Sequence, residues 1–218
     1  MDSRCFGEGG RNRLECLNCA SLPNVADIDL GGMSLPVLNR TAAFLLRDGR
    51  ADLALRFARA AYESDPASLP ATLAYTEAAV ASGTADNASD VVALLGRHDP
   101  SSRWLVRAGD IAEKRGLDDL ALYLFERARS IEPGFHYAGH RLARQYEKHE
   151  RLQEALATLQ DCVDRGDDNL HVRATIVELF ARTGVPDIAR AHLAVWLKKA
   201  PDFAPFNHLI KQFNIVSE

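Results

Sequence analysis

The feature that most constrains this chain is a recurrence of about 34 residues that keeps three separate markers in one register. Alanine returns at Ala54, Ala88, Ala121, Ala155 and Ala189. Five residues before each stands Gly49, Gly83, Gly116 or Gly184, with Glu150 taking the fourth place. Proline follows at Pro66, Pro100, Pro133 and Pro201, with Asp167 in the fourth place. A period of this length is a unit of a few elements that cannot bury its apolar face alone, so neighbouring units have to stack.

Each unit reads as two helices joined by a tight turn. Leu38, Thr41, Ala42 and Leu45 fall at i, i+3, i+4 and i+7, one face of a helix. The turn glycine supplies the left-handed backbone position that ends a helix, and the proline stops the second helix before the next unit begins. The recurring alanine marks the closest approach of the two axes. Early in the first helix, Leu38 and Leu105 are large, but Thr72, Gly139 and Arg173 occupy the same slot elsewhere. Cys162 stands where other units place Ala61, Leu95 and Ala128, and reads as a small packing residue. With Glu150 and Asp167 replacing glycine and proline, the fourth unit is expected to turn more loosely. Beyond the last unit, Phe206, Leu209, Ile210 and Phe213 share one helical face. A capping helix is the favoured reading and contact with a second copy the alternative.

This pattern resembles the tetratricopeptide repeat family over about residues 35–203. The resemblance implies an all-α fold, a right-handed α-solenoid of stacked helix-turn-helix repeats with a C-terminal capping helix. The expected organisation is an arm at 1–33, repeats at 35–68, 69–101, 102–135, 136–169 and 170–203, and the cap at 204–218.

Composition sets limits on function. The formal net charge is -4 and the pI about 6.0, which disfavours a generally basic nucleic-acid binder, and aromatic stacking platforms for single-stranded RNA are scarce. No run approaches the roughly 20 apolar residues that span a bilayer, and the N-terminus lacks the apolar core of a secretory signal. No membrane and a cytoplasmic location are therefore expected. The arm carries Cys5, Cys16 and Cys19; one C-x-x-C is half a zinc site, so a metal or thiol role is the minority reading beside an incidental flexible segment. His136 and His140 are spaced i,i+4 and His171 opens the next unit, but no neighbouring acid is fixed by spacing, so groove-lining histidines are favoured over a metal site. There is no glycine-rich phosphate loop, no G-x-S-x-G and no H-E-x-x-H. A non-catalytic protein without a cofactor is expected.

In the family, first helices line a concave groove. Carried over by repeat position, that groove receives Arg40, Arg47, Arg103, Arg107, Lys114, Arg141, Arg144, Lys148 and Arg182, against Glu77, Asp110, Glu113, Glu147 and Glu178. The expected peptide-binding set is Arg40, Arg103, Arg107, Tyr137, His140, Arg141, Arg144 and Lys148. Guanidinium forks match carboxylates, so an acidic peptide or a C-terminal carboxylate is the expected ligand. The chaperone-tail clamp of some family members is disfavoured: Asn39 is present, but Ala43 and Ala74 stand at other clamp positions. The function implied is an interaction adaptor or scaffold. The alternative is a regulatory or substrate-presenting subunit of a separate enzyme, such as a glycosyl- or sulfotransferase.

Overall fold

The computed structural model describes residues 28–95 and 98–212. Cys5, Cys16 and Cys19 of the arm and Phe213 of the terminal segment lie outside those residues. Among the described residues the chain is helical throughout, in eleven helices: α1 Leu35–Arg47, α2 Ala51–Ser64, α3 Leu69–Ser82, α4 Ala88–Leu95, α5 Ser102–Lys114, α6 Asp118–Ile131, α7 His136–Lys148, α8 Leu152–Asp164, α9 Leu170–Arg182, α10 Pro186–Lys199 and α11 Ala204–Gln212. No described helix is long and apolar enough to cross a membrane.

Packing divides the chain into two compact units. The first takes in the described residues up to Pro100 together with Asp110–Leu120; the second takes in Ser101–Gly109 and everything described from Ala121 on. In the first unit, α1, α2 and α3 pack on one another and α4 lies on α3. The buried residues of α1 are Leu38, Thr41, Ala42 and Leu45, the four that the helical spacing selects. They meet Ala54, Phe57, Ala58 and Ala61 of α2. Alanine at these contacts lets the two axes come close enough for Leu38 and Phe57 to interdigitate. Helix α3 is buried on most of its circumference, including Glu77, which is 2% exposed. Glu77, buried, is therefore no part of an open groove wall, contrary to its repeat position.

In the second unit α7 pairs with α8, α8 with α9 and α9 with α10, while α11 lies on α9 and α10. Its core joins Leu159, Ile176, Val177, Leu179, Phe180 and Leu193 to Phe206 and Leu209 of α11. The last helix covers the exposed end of that core, as a stacked array requires.

The fourth turn is not looser than the others. Glu150 adopts φ 57°, and the residue after it, Arg151, donates its N–H to the Tyr146 carbonyl at 2.8 Å. The same bond closes the glycine turns at Arg50, Leu117 and Val185. The backbone bond holds the left-handed position, and Glu150, exposed, bears its modest steric cost.

Residues 23 positions apart in each repeat differ in size, and in the last two repeats the structure places them against each other. Leu38 answers Ala61 and Leu105 answers Ala128, while Thr72 answers Leu95. Gly139 answers Cys162, whose Sγ lies 2.3 Å from where a Cβ on Gly139 would sit. In the last pair, Arg173 lies over the ring of Trp196, with its guanidinium carbon 4.6 Å from the ring centre.

Candidate functional site

Seven of the eight residues expected to bind a peptide, all but Arg40, belong to the second unit. Arg40 is exposed on α1 in the first unit. Helix α5 places Arg103 and Arg107 one turn apart on an exposed face, while Trp104, Leu105 and Val106 between them are buried. Helix α7 does the same with Arg144 and Lys148 around the buried Gln145. Its first turn presents Tyr137, 49% exposed, beside Phe135 at 6.2 Å between ring centres.

Arg141 is held differently. Its guanidinium carbon lies 5.5 Å from the centre of the Phe125 ring, and the ring itself fills the space above Gly109. A cation lying on an aromatic face gains about 0.5–2 kcal/mol according to its exposure, so Arg141 does structural as well as surface work. Reversing its charge would disturb packing.

His140 does not point freely into solvent. Its Nε2 lies 2.5 Å from Oδ2 of Asp167, which is 6% exposed. Asp167 also accepts the Asn169 N–H at 3.1 Å, and its backbone carbonyl accepts from Arg173 at 3.1 Å. Burial pushes the Asp167 carboxyl up, but the His140 bond, the Asn169 N–H and nearby His136 outweigh it and hold the group below its ordinary value. In the sequence Asp167 shows only as the missing proline; in the structure it pins α7 to the start of α9.

A depressed carboxylate stabilises the fold above the value it has in the unfolded chain, and that contribution is lost as pH falls through the folded value. Asp167→Asn should therefore melt below the parent at neutral pH, with the two melting temperatures converging below about pH 4. A gap that stays constant down to about pH 2 would show that the Asp167 charge contributes nothing.

Between α7 and α9 lies a cleft of about 260 Å³ lined by His140, Arg144, Glu147, Asn169, His171 and Thr175 among others. The Asn169 side chain caps α9 by accepting the His171 N–H at 2.9 Å, which fixes that wall. His171 packs edge-on against Phe203 at 4.9 Å. Glu147 accepts from Arg182 at 3.0 Å and joins the two first helices. Burial raises the Glu147 carboxyl, and Glu178 adds to this against the pull of Arg182 and Arg144. His140 and His171 thus share a cleft, as their repeat positions suggest. Among the described residues, no three His, Cys, Asp or Glu side chains are grouped to hold a metal ion.

Cys162 is fully buried, and its thiol is pushed up by burial, as expected of a packing residue.

A second cleft was not foreseen. It lies on another side of α9, has a volume of about 310 Å³, and is lined by residues of α8, α9 and α10 including Arg173 and Trp196. The available signal was Arg173 itself, a cation in the slot that Leu38 and Leu105 fill with apolar bulk.

No known family model and no curated protein matches this chain. Solved structures do. YrrB, a tetratricopeptide repeat protein with an unusual peptide-binding site, aligns at a TM-score of 0.58 and 18% identity, over 82% of this chain and 92% of its own. MamA aligns at a TM-score of 0.58 and 15% identity, over 78% of this chain and 93% of its own. MamA from Desulfovibrio magneticus RS-1 aligns at 0.53 and 19%, over 78% of this chain and 97% of its own.

The fold is that of the tetratricopeptide repeats. In tetratricopeptide terms α5, α7 and α9 are first helices and α8 and α10 second helices, so the Arg173 and Trp196 cleft is lined by one first and two second helices.

Proposed function

We propose that the second unit is a protein-interaction module that takes an acidic segment of a partner across the first helices α5, α7 and α9. The observation that carries this reading is the exposure of Arg103 and Arg107 on α5 and of Arg144 and Lys148 on α7, each pair spaced i,i+4. Tyr137 offers an exposed ring for an apolar side chain beside the carboxylates. A partner's C-terminal carboxylate is one acid this set accommodates. In the repeat division proposed from the sequence, the surface spans the units at 102–135, 136–169 and 170–203. The likeness to YrrB, whose peptide-binding site is part of its description, is in keeping with this reading.

The probe is a fluorescein-labelled octapeptide alternating Glu, Asp and Leu, made with a free and with an amidated C-terminus and followed by anisotropy. Arg103→Glu with Arg144→Glu should weaken binding at least about tenfold, since each charge-assisted pair contributes about 1.5–3 kcal/mol. Both side chains are exposed, so melting should move only slightly, chiefly through the loss of Arg144 beside Glu147. Tighter binding of the free form would assign the terminal carboxylate. Equal binding of a Lys-Leu peptide, or unchanged affinity in the reversal pair, would overturn the proposal.

A further inference from the structure

The cleft of α8, α9 and α10 is built from Val163 and Asp164 of α8, Arg173 and Ile176 of α9, and His192 and Trp196 of α10. Val163 and Ile176 are its aliphatic lining residues, Ile176 buried, with Gln160 also on the wall, and His192 lies against Phe180 at 5.0 Å between ring centres. Trp196 carries two cations. Arg173 lies 4.6 Å from the ring centre, and the Lys199 ammonium lies 4.5 Å from it. The Arg173 guanidinium is oriented by its bond to the Asp167 carbonyl at 3.1 Å. Asp164 is the acid on the cleft wall, against Arg173 on the same wall and Lys199 on the Trp196 ring beside it.

His192 of the cleft belongs to an exposed stripe of α10. Ile188, His192, Val195 and Lys199 follow at steps of four, three and four, one exposed stripe of the helix. Ile188 is 45% and Val195 52% exposed. An apolar stripe ending in lysine, beside an indole that stacks two cations, suits an apolar side chain flanked by carboxylates. The apolar group would lie on Trp196, Ile176 and Val195, and the acids would meet Arg173 and Lys199.

Packing alone does not call for this arrangement. At the equivalent contact the other repeats pair a larger with a smaller uncharged residue, and only the last places a cation against an indole. A cation at a core slot carries a desolvation cost that leucine would not.

We propose that this cleft is a second docking site, separate from the first-helix surface, for a partner segment in which one apolar residue is flanked by acidic ones. Its occupant is distinguished from that of the first surface by the need for the apolar residue.

The sequence holds two tryptophans, Trp104 and Trp196, so Trp104→Phe leaves Trp196 as the only indole reporter. The probes are acetylated, amidated pentapeptides: Glu-Asp-Leu-Asp-Glu, the same with Gly for Leu, and Lys-Lys-Leu-Lys-Lys. The first should change Trp196 fluorescence saturably, and the other two should bind at least about tenfold more weakly. Arg173→Met keeps an unbranched side chain against the indole while removing the charge, and Lys199→Glu alters an exposed position; each should weaken the response about tenfold. The response should survive Arg103→Glu with Arg144→Glu, which separates this site from the first-helix surface. No saturable response, a response indifferent to Arg173→Met and Lys199→Glu, or one abolished by the first-helix reversals would overturn the proposal. So would a concentration-dependent doubling of mass that Val195→Glu removes, since the stripe would then belong to a second copy.

Discussion

Gly139→Ala should destabilise the protein by about 2–3 kcal/mol, although alanine is the better helix former. Gly139 lies inside α7 and is buried, and its backbone has ordinary negative φ. On propensity alone the substitution would gain about 0.5–1 kcal/mol. The new methyl carbon, however, would stand 2.3 Å from the Cys162 sulfur, far inside contact distance. Cys162 is fully buried on α8, its sulfur is one bond from its own Cβ, and helical residues have few χ1 alternatives. The helices must separate, and that cost exceeds the propensity gain. The second substitution makes the argument sharp. Cys162→Ala removes the opposing atom at a cost of about 1 kcal/mol in lost contacts, and in that background Gly139→Ala should be close to neutral. A urea-denaturation cycle on the four proteins measures the coupling. If Gly139→Ala is as stable as the parent, or equally costly with and without the sulfur, the close approach is not what the glycine serves.

The other large effect runs in the opposite direction. Gln145 is fully buried on α7, and among the described residues neither its Oε1 nor its Nε2 has a hydrogen-bond partner. Counting by the repeat, the same slot holds Phe44, Ala78, Ile111 and Leu179, all apolar. A buried amide without partners costs about 1–3 kcal/mol per unmet group, whereas an apolar side chain there only gains contacts. Gln145→Leu should therefore stabilise by about 2 kcal/mol and raise the melting temperature by about 4–8 °C for a chain of this size. Gln145→Ala, which removes the amide but leaves a void, should be closer to neutral. A lowered melting temperature for Gln145→Leu would mean that the amide is satisfied in solution, most simply by an ordered water.

The exposure of four candidate residues was legible because repeat position determines which way a residue faces. Arg103, Arg107, Arg144 and Lys148 come out exposed on first helices, as the 34-residue register requires of them. Three side chains in or near the expected groove took other roles. Arg141 lies on Phe125, His140 is bound to Asp167, and Glu77 is buried in the first unit. Periodicity says which face a side chain leaves from, but not whether a neighbouring helix supplies a ring, a carboxylate or a wall for it to meet. Asp167 is the clearest case. The repeat registers it as a lost proline, while its bond to His140, across 27 residues of sequence, depends on how the end of α8 turns into α9.

What the sequence by itself determined was the unit. The alanine, glycine and proline markers dictate paired helices, place their turns and select the buried face, because helical geometry turns a fixed spacing into a fixed direction. Even the size alternation of Leu38 with Ala61 and of Gly139 with Cys162 is written in residues a constant 23 apart. The tertiary structure decided what those faces meet. It held Glu150 in the glycine's conformation through a backbone bond, buried Gln145 without partners, and laid Arg173 on Trp196 beside a cleft. The reason is physical: local spacing sets the direction of a side chain, whereas its energy depends on atoms that only the packing of other helices brings within a few ångströms.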